Sequence, residues 1–358
     1  MIGDVGRLVE IESPSLDIAA LSQSARELAL MMEQRLGSSA TLIDSVAGPH
    51  VHWVGGGTPK VLIVGHHDTV FPKGALAARP FTVEGDKATG PGIFDMKAGI
   101  VQAIHGVAAL ADKSGVEILI TSDEEVGSVH SRDLIVERAK ACGAVLVLEP
   151  SADGGALKTA RKGTGTFELH VLGRASHAGL EPEKGVNSTI EIAHAILAIS
   201  ELENKEFGTT VVPTLLRSGN TTNTVPDLAV LDVDIRSFTT EELLRIDTAI
   251  HSLQPVNPAT RYEITGGFNR PPLEISSTMA LYERAEKVAK KLGMPPLGHA
   301  SVGGASDGNF AAAAGAQVLD GLGAIGDGAH AAHEWVDITT LEERSVLLHE
   351  LIKDILND

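Results

Sequence analysis

Apolar positions return along this chain in two rhythms, one near every third or fourth residue and one in short continuous or alternating runs. Leu16 to Leu36 follows the first rhythm and stops at Gly37, the residue that most easily takes a left-handed C-terminal position, so it predicts a first helix. Short apolar runs of the second kind occur at Lys60 to Val64, Val116 to Ile120 and Ala144 to Leu148, with a helical stretch from Lys97 to Leu110 between the first two. Strands of this kind alternating with helices predict an α/β fold with a mostly parallel sheet covered by helices.

Near Lys162 the pattern changes. Phe167, Leu169 and Val171 alternate with Glu168 and His170, which predicts a strand buried on one face. A helix from Asn187 to Leu202 follows, then alternating strands at Val211 to Leu216 and Leu228 to Arg236, a helix that opens on Thr239 with Glu242 three residues later, and a strand at Tyr262 to Thr265. Strand, helix, two strands, helix, strand predicts an α+β open-faced sandwich over residues 164–270, inserted between the two parts of an α/β domain, 1–163 and 271–358. Thr340 and Glu343 have capping-box spacing and predict the start of the last helix.

Composition narrows the classes. Aromatics are 3% of the 358 residues and Gly numbers 38, so the core must come from aliphatic residues, as in covered parallel sheets. A formal net charge of -18 sets a repulsive field against nucleic acid and anionic membranes, and neither is expected as a partner. Cys142 is the single cysteine, which excludes an intrachain disulfide and a thiolate zinc cluster. Met1 to Glu12 lacks a signal-peptide pattern, and the expected location is cytoplasmic.

The candidate chemistry gathers where strands are predicted to end. Asp123-Glu124-Glu125 follows one apolar run; three carboxylates in a row repel unless they are solvated or a cation compensates them. Gly65-His66-His67-Asp68 follows another, and period-two alternation puts His66 and Asp68 on one face and His67 on the other. His66 can then bind a metal with Asp68 behind it. Asp95 lies in Gly90-Pro91-Gly92-Ile93-Phe94-Asp95, as a metal ligand, as the N-cap of the next helix, or as both. Glu149 closes the third run, and His330 and His333 precede Glu334. Each has a plain alternative as a loop or strand-end residue. Together they mark one rim of one sheet, and histidines with carboxylates suit zinc, cobalt or manganese better than magnesium.

In this order the motifs His-x-Asp, Gly-Pro-Gly-x-x-Asp, Glu-Glu, Glu-Pro and a late His four residues before Glu resemble the co-catalytic di-zinc family of glutamate carboxypeptidase, succinyl-diaminopimelate desuccinylase, acetylornithine deacetylase and aminoacylase. The resemblance spans nearly the whole chain and is nearest to the glutamate carboxypeptidase-like members. It implies a zinc-exopeptidase-type fold with an inserted dimerisation and lid domain, and two Zn ions, with Co or Mn able to replace them. It further implies His66 and Glu149 as ligands of one metal, Glu125 and His330 of the other, Asp95 as the bridge, Glu124 as general base and acid, and Asp68 as the group orienting His66. Spacing selects His330 over His333. Met96 departs from those members that cleave folates, which often carry a second Asp there.

Gly173-Arg174-Ala175-Ser176-His177-Ala178-Gly179 resembles the segment whose histidine reaches a partner's active site, so His177 implies a homodimer through the inserted domain. Asn223 and Arg270 match positions that hold substrate, where a planar guanidinium suits a free carboxylate, and Gly303 and Gly304 are expected to add backbone donors to the same carboxylate. The expected reaction is hydrolysis of an amide bond next to a free carboxylate, releasing a C-terminal amino acid such as Glu from a small peptide or N-acyl conjugate. The rival expectation is an N-acyl amino acid deacylase removing acetyl or succinyl. From another class, the Gly-rich loops suggest a nucleotide-binding α/β module, but Gly55-Gly56-Gly57 and Gly303-Gly304 lack the spacing of a dinucleotide fingerprint or a P-loop.

Overall fold

The computed structural model describes residues 1–357. The chain forms two compact units, one from Met1–Ala160, Glu274–Val302 and the segment from Ser306 onward, the other from Arg161–Leu273 and Gly303–Ala305.

The first unit is built on a six-stranded sheet. Its strands are β1 (Thr41–Ile43), β2 (His50–Val54), β3 (Val61–His66), β4 (Val116–Thr121), β5 (Ala144–Val147) and the late strand Gln317–Leu319, in the spatial order β1, β2, β4, β3, β5, late strand. Pairing is parallel from β4 through β3 and β5 to the late strand, and antiparallel at β1–β2 and β2–β4. The sheet is therefore mixed: its centre is parallel, as the sequence implies, and the exception is the first hairpin, whose short loop leaves no room for a crossover. Helix Ala98–Ala108 crosses between β3 and β4, and helix Arg132–Cys142 between β4 and β5. Every residue of β3, β4 and β5 is buried, which is why these strands read as apolar runs without alternation.

Register decides where the chemistry sits. His66 pairs with Thr121 as the last rung between β3 and β4, and Val64 pairs with Val147 of β5, so the three strands end at one rim. The first long helix, Ile18–Leu36, is capped by the Asp17 carboxylate accepting from Ala20 N at 3.0 Å and stops at Gly37 with φ 81°. The helix after Asp95 begins at Ala98 and has no side-chain cap, so Asp95 is not its N-cap.

The second unit carries a four-stranded antiparallel sheet of β6 (Gly163–Leu172), β7 (Thr210–Ser218), β8 (Leu228–Ser237) and β9 (Arg261–Arg270), ordered β7, β8, β6, β9. Helices Ser188–Ser200 and Thr240–His251 cover one face, where Phe167, Leu169 and Val171 pack with Leu231, Val233, Ile235, Ile192, Ile199, Leu243 and Ile246. The other face carries Glu168, His170, Asp232 and Asp234, so the sandwich is open.

The two predicted capping boxes are not completed. Thr239 does accept from Glu242 N at 3.3 Å, but the Glu242 carboxylate turns to Arg245 and Thr209, both at 2.8 Å, because a cation one turn on outbids a backbone N–H. Thr340 makes no cap; its hydroxyl donates back to Asp337 O at 2.9 Å.

Candidate metal centre

His66 is the last residue of β3 and only 1% exposed. Its Nδ1 lies 2.9 Å from the Asp68 carbonyl and 3.5 Å from the Asp68 carboxylate, so the carbonyl is the nearer anchor for the ring. The opposite nitrogen, Nε2, is 3.2 Å from Asp95 Oδ1 and 3.6 Å from Glu149 Oε1. His67 points the other way, between Ser24 Oγ and Pro49 O, each at 3.1 Å. Burial pushes its imidazole down to about 4, so it sits neutral in the core.

The Asp68 carboxylate does more than face His66. It accepts from Glu124 N and Glu125 N, each at 3.2 Å, and from Ser15 Oγ at 2.8 Å. One fully buried carboxylate thus fixes the backbone of the acidic pair beyond β4.

Asp95 arrives on a turn that needs glycine. A Cβ on Gly92, whose φ is 72°, would meet Thr69 Cγ2 at 2.5 Å, so only glycine lets the turn come this close. While Oδ1 faces His66, Asp95 Oδ2 lies 3.4 Å from His330 Nε2, and the same nitrogen is 3.0 Å from Glu125 Oε2. Asp95 therefore spans two imidazoles. His330 itself holds a left-handed backbone, φ 63°, an uncommon conformation for a residue with a side chain.

The charges are unbalanced without a further cation. Burial raises the Asp95 carboxyl, but His330 and His66 outweigh it and hold it well below its usual range. Asp95, then Glu125, push His330 up to about 10, while burial keeps Glu125 above the ordinary carboxylate value. Glu125 Oε1 is buried with no hydrogen-bond partner among the described residues. An orphaned carboxylate oxygen at such a point is what a cation site requires.

Two donor groups satisfy metal-binding distances: His66 with Glu124 and Glu149, and His66 with Asp95 and Glu125, their ligand atoms within 4.8 Å of one another in each group. His330 joins the second group through the contacts just given. The site is made of imidazole and carboxylate, a donor set that fits a pair of zinc-type ions.

Glu334 is the residue of this centre that the sequence marks only as a spacing landmark. It is 1% exposed, and its carboxylate accepts from Gly92 N at 2.8 Å, Phe94 N at 2.8 Å and Asp95 N at 2.9 Å. Lys97, equally buried, donates to Ile11 O at 2.8 Å; burial lowers its ammonium to about 8, while Glu334 and Glu12 act to keep it charged. A cue to both was present in the chain: a charged residue beside a Gly-rich turn and another beside a proposed ligand.

Of the remaining expected residues, His177, Asn223, Arg270, Gly303 and Gly304 belong to the second unit. Ser176–His177 pairs with Thr224–Val225, and Ala178 N donates to Asn223 O at 2.9 Å, which makes His177 and Asn223 neighbours. His177 Nδ1 accepts from Gly179 N and Leu180 N, each at 3.1 Å. Arg270 ends β9 and is 7% exposed. The carbonyls of Gly303 and Gly304 accept from Arg236 and Arg161 at 3.4 and 3.1 Å. In the Gly55-Gly56-Gly57 tract, Gly55 N donates to Val116 O and Gly56 O accepts from Gly115 N, so its backbone is tied to the start of β4.

Comparison with known proteins agrees with this geometry. A family model described as peptidase family M20/M25/M40 matches residues 62–354. The chain is 32% identical to carboxypeptidase G2 of Pseudomonas sp. (strain RS-16), over 99% of this chain and 89% of that protein. It is 28% identical to succinyl-diaminopimelate desuccinylase of Sulfurovum sp. (strain NBC37-1), over 82% of this chain and 83% of the relative. Among solved structures, aminopeptidase PepT of Bacillus cereus superposes with a TM-score of 0.81 at 21% identity, covering 99% of this chain and 98% of that one. The M20 metallo-carboxypeptidase Sso-CP2 of Sulfolobus solfataricus gives 0.74 at 18% identity, over 99% and 98%. The family match over most of the length and the two donor groups make the chain a metal-dependent amide-bond hydrolase, a member of peptidase family M20/M25/M40.

Proposed function

We propose that the protein releases a C-terminal amino acid such as Glu from a small peptide or N-acyl conjugate. The observation that carries this reading is Asp95 set between His66 and His330, with Glu149 and Glu125 beyond them. In the proposed assignment His66 and Glu149 hold one ion, Glu125 and His330 the other, and Asp95 serves both. When bound, two such ions polarise a carbonyl and acidify a water.

Glu124 is placed next to His66 and Glu149, and its backbone is held by Asp68. Its carboxylate takes the proton of the attacking water and returns it to the departing amine. Asp68 keeps its own carbonyl on His66 Nδ1, which leaves Nε2 as the ligating nitrogen. For His177, two N–H groups donate to Nδ1, so a neutral ring carries its proton on Nε2 and offers it as a donor to a developing oxyanion. Arg270 is the proposed partner of the free substrate carboxylate, with Asn223, Gly303 and Gly304 beside the substrate.

The homodimer is also a proposal, supported by the edge strand β7, where Val212, Leu215 and Leu216 are exposed, and by Leu197 and Ile190 on the neighbouring helix. Among the described residues no helix is long and apolar enough to cross a membrane.

Likeness to carboxypeptidase G2 favours C-terminal release, and likeness to the desuccinylase favours deacylation of an N-acyl amino acid. A panel of matched N-acyl amino acids, dipeptides and their C-terminal amides, assayed with zinc-loaded protein, decides between them. Hydrolysis of dipeptides with a free carboxylate and none of their amides is the expected result. Equal turnover of the amides would refute the carboxylate requirement; acetyl or succinyl release alone would establish the deacylase.

A further inference from the structure

A buried carboxylate satisfied only by backbone N–H groups fixes a chain segment more firmly than a side-chain pair does, because its partners have no rotamers to change. Glu334 is such a group. Its two oxygens take the N–H groups of Gly92, Phe94 and Asp95, three donors from four consecutive residues of the turn that delivers the shared aspartate. Four residues before it in sequence stands His330. A single short segment therefore supplies one imidazole and also grips the aspartate that imidazole faces.

We propose that Glu334 is a positioning residue for the dinuclear centre: it sets the direction of the Asp95 carboxylate, and so the spacing of the two ion sites, without touching either ion or the substrate. Two features of the structure support it. Gly92 has no room for a side chain, because a Cβ there meets Thr69, so at this residue the turn can be held only through its backbone. Glu334 is 1% exposed, which makes its bonds insensitive to solvent competition.

The inference rests on the metal reading given under Proposed function, and the experiment separates the two. Metal-free wild type, Glu334→Gln and Glu334→Ala are titrated with zinc against a chromophoric chelator, with circular dichroism and thermal melting of each metal-free protein recorded alongside. Gln keeps one acceptor oxygen but turns an amide N–H₂ toward a backbone N–H, so it loses at least one bond while preserving shape. Wild type should take up two zinc ions. Glu334→Gln should bind the weaker of them about ten-fold less tightly, and Glu334→Ala about a hundred-fold less tightly. A core truncation with a matched loss of melting temperature, such as Ile104→Val, should bind both ions as wild type does. At saturating zinc Glu334→Gln should recover turnover with KM unchanged, since it touches no substrate.

Wild-type affinity for both ions in Glu334→Gln would overturn the positioning role, as would equal loss in the core control. If Glu334→Ala does not fold, Glu334→Gln decides alone. Should wild type itself fail to hold two ions, the metal reading falls, and this inference with it.

Discussion

Acids stand near the start of strand β4 and just beyond its end, and they are treated in opposite ways. Near its start, Glu117 is 1% exposed, and Arg138 reaches both of its oxygens, Nη2 at 2.5 Å on one and Nε at 2.8 Å on the other, with His52 Nε2 also 2.9 Å from the second. Beyond its end, Glu124 and Glu125 lie with Asp95 and Glu149 around two imidazoles, and Glu125 Oε1 finds no partner among the described residues. Glu117 lies buried within β4, and Glu124 and Glu125 are half-buried on the short turn that follows it. The difference is that the protein brings its own arginine to one end and leaves the other short of positive charge. A structural ion cluster is complete in itself, whereas an incomplete one in a folded core points to a ligand that completes it.

The largest expected effect breaks the incomplete end. Exhaustive chelation should abolish amide hydrolysis and lower the melting temperature, because the acids then repel one another across an empty centre. Glu124→Gln should retain its metal, measured by elemental analysis, and lose roughly 10³-fold or more in kcat, the proton shuttle having gone. Full activity in that variant would remove Glu124 from the mechanism. The same chelation should leave the Glu117 end untouched.

The same contrast explains which of these residues the sequence alone reveals. Ligand-type residues beyond strand ends are visible because the strands are short apolar runs and the acids interrupt them; His66, Glu125 and Glu149 are marked on that ground, Asp95 by its Gly-rich turn, and His330 by the spacing of the family resemblance. The choice between His330 and His333 depended on spacing, and the contacts of His330 with Asp95 and Glu125 show which imidazole faces the acids. Glu334 and Asp68 could not be read in full, because what they do is hold backbone N–H groups, and a backbone partner leaves no trace in the identity of the residue it belongs to. The capping boxes failed for a related reason: spacing names a candidate pair, but Arg245 in the same turn captures Glu242 first. The antiparallel first hairpin was hidden because β1 is only three residues long, too short to carry a period.

A smaller effect tests the complete end. Glu117→Gln leaves Arg138 without its anion, and since Arg138 is partly solvated the cost should be about 2 kcal/mol rather than the larger value of a fully buried pair. Zinc uptake should stay within about two-fold of wild type, because no ligand is touched. The pH dependence has a definite sign. Burial raises the Glu117 carboxyl, but His52 and Arg138 outweigh it and hold its pKa below the ordinary 4.5, so the folded state gains stability above that value and loses it as pH falls through the depressed one. The gap in urea midpoint between wild type and Glu117→Gln should be full at neutral pH and close as pH drops below the ordinary carboxylate value. A gap that persists unchanged into strong acid would show that packing, not charge, sets the cost.

The smallest effect uses Cys142 as a reporter beside that same cluster. Burial, then the Glu117 charge, pushes its thiol up to about 12, while Arg138 acts in the opposite direction. At pH 8.5 the thiolate fraction of such a group is below about one in a thousand, and since the thiolate is the reactive form, iodoacetamide should modify native protein far more slowly than urea-unfolded protein. Glu117→Gln removes the raising anion and leaves the lowering cation, so native alkylation should quicken several-fold, read by intact mass under conditions where global unfolding is too rare to contribute. Identical native rates in the two proteins would mean that burial alone governs the thiol, and that the field of the paired cluster does not reach one side chain away. A reporter that responds would instead show that the completed cluster still carries a local field, confined to its own surroundings by the arginine that the metal end lacks.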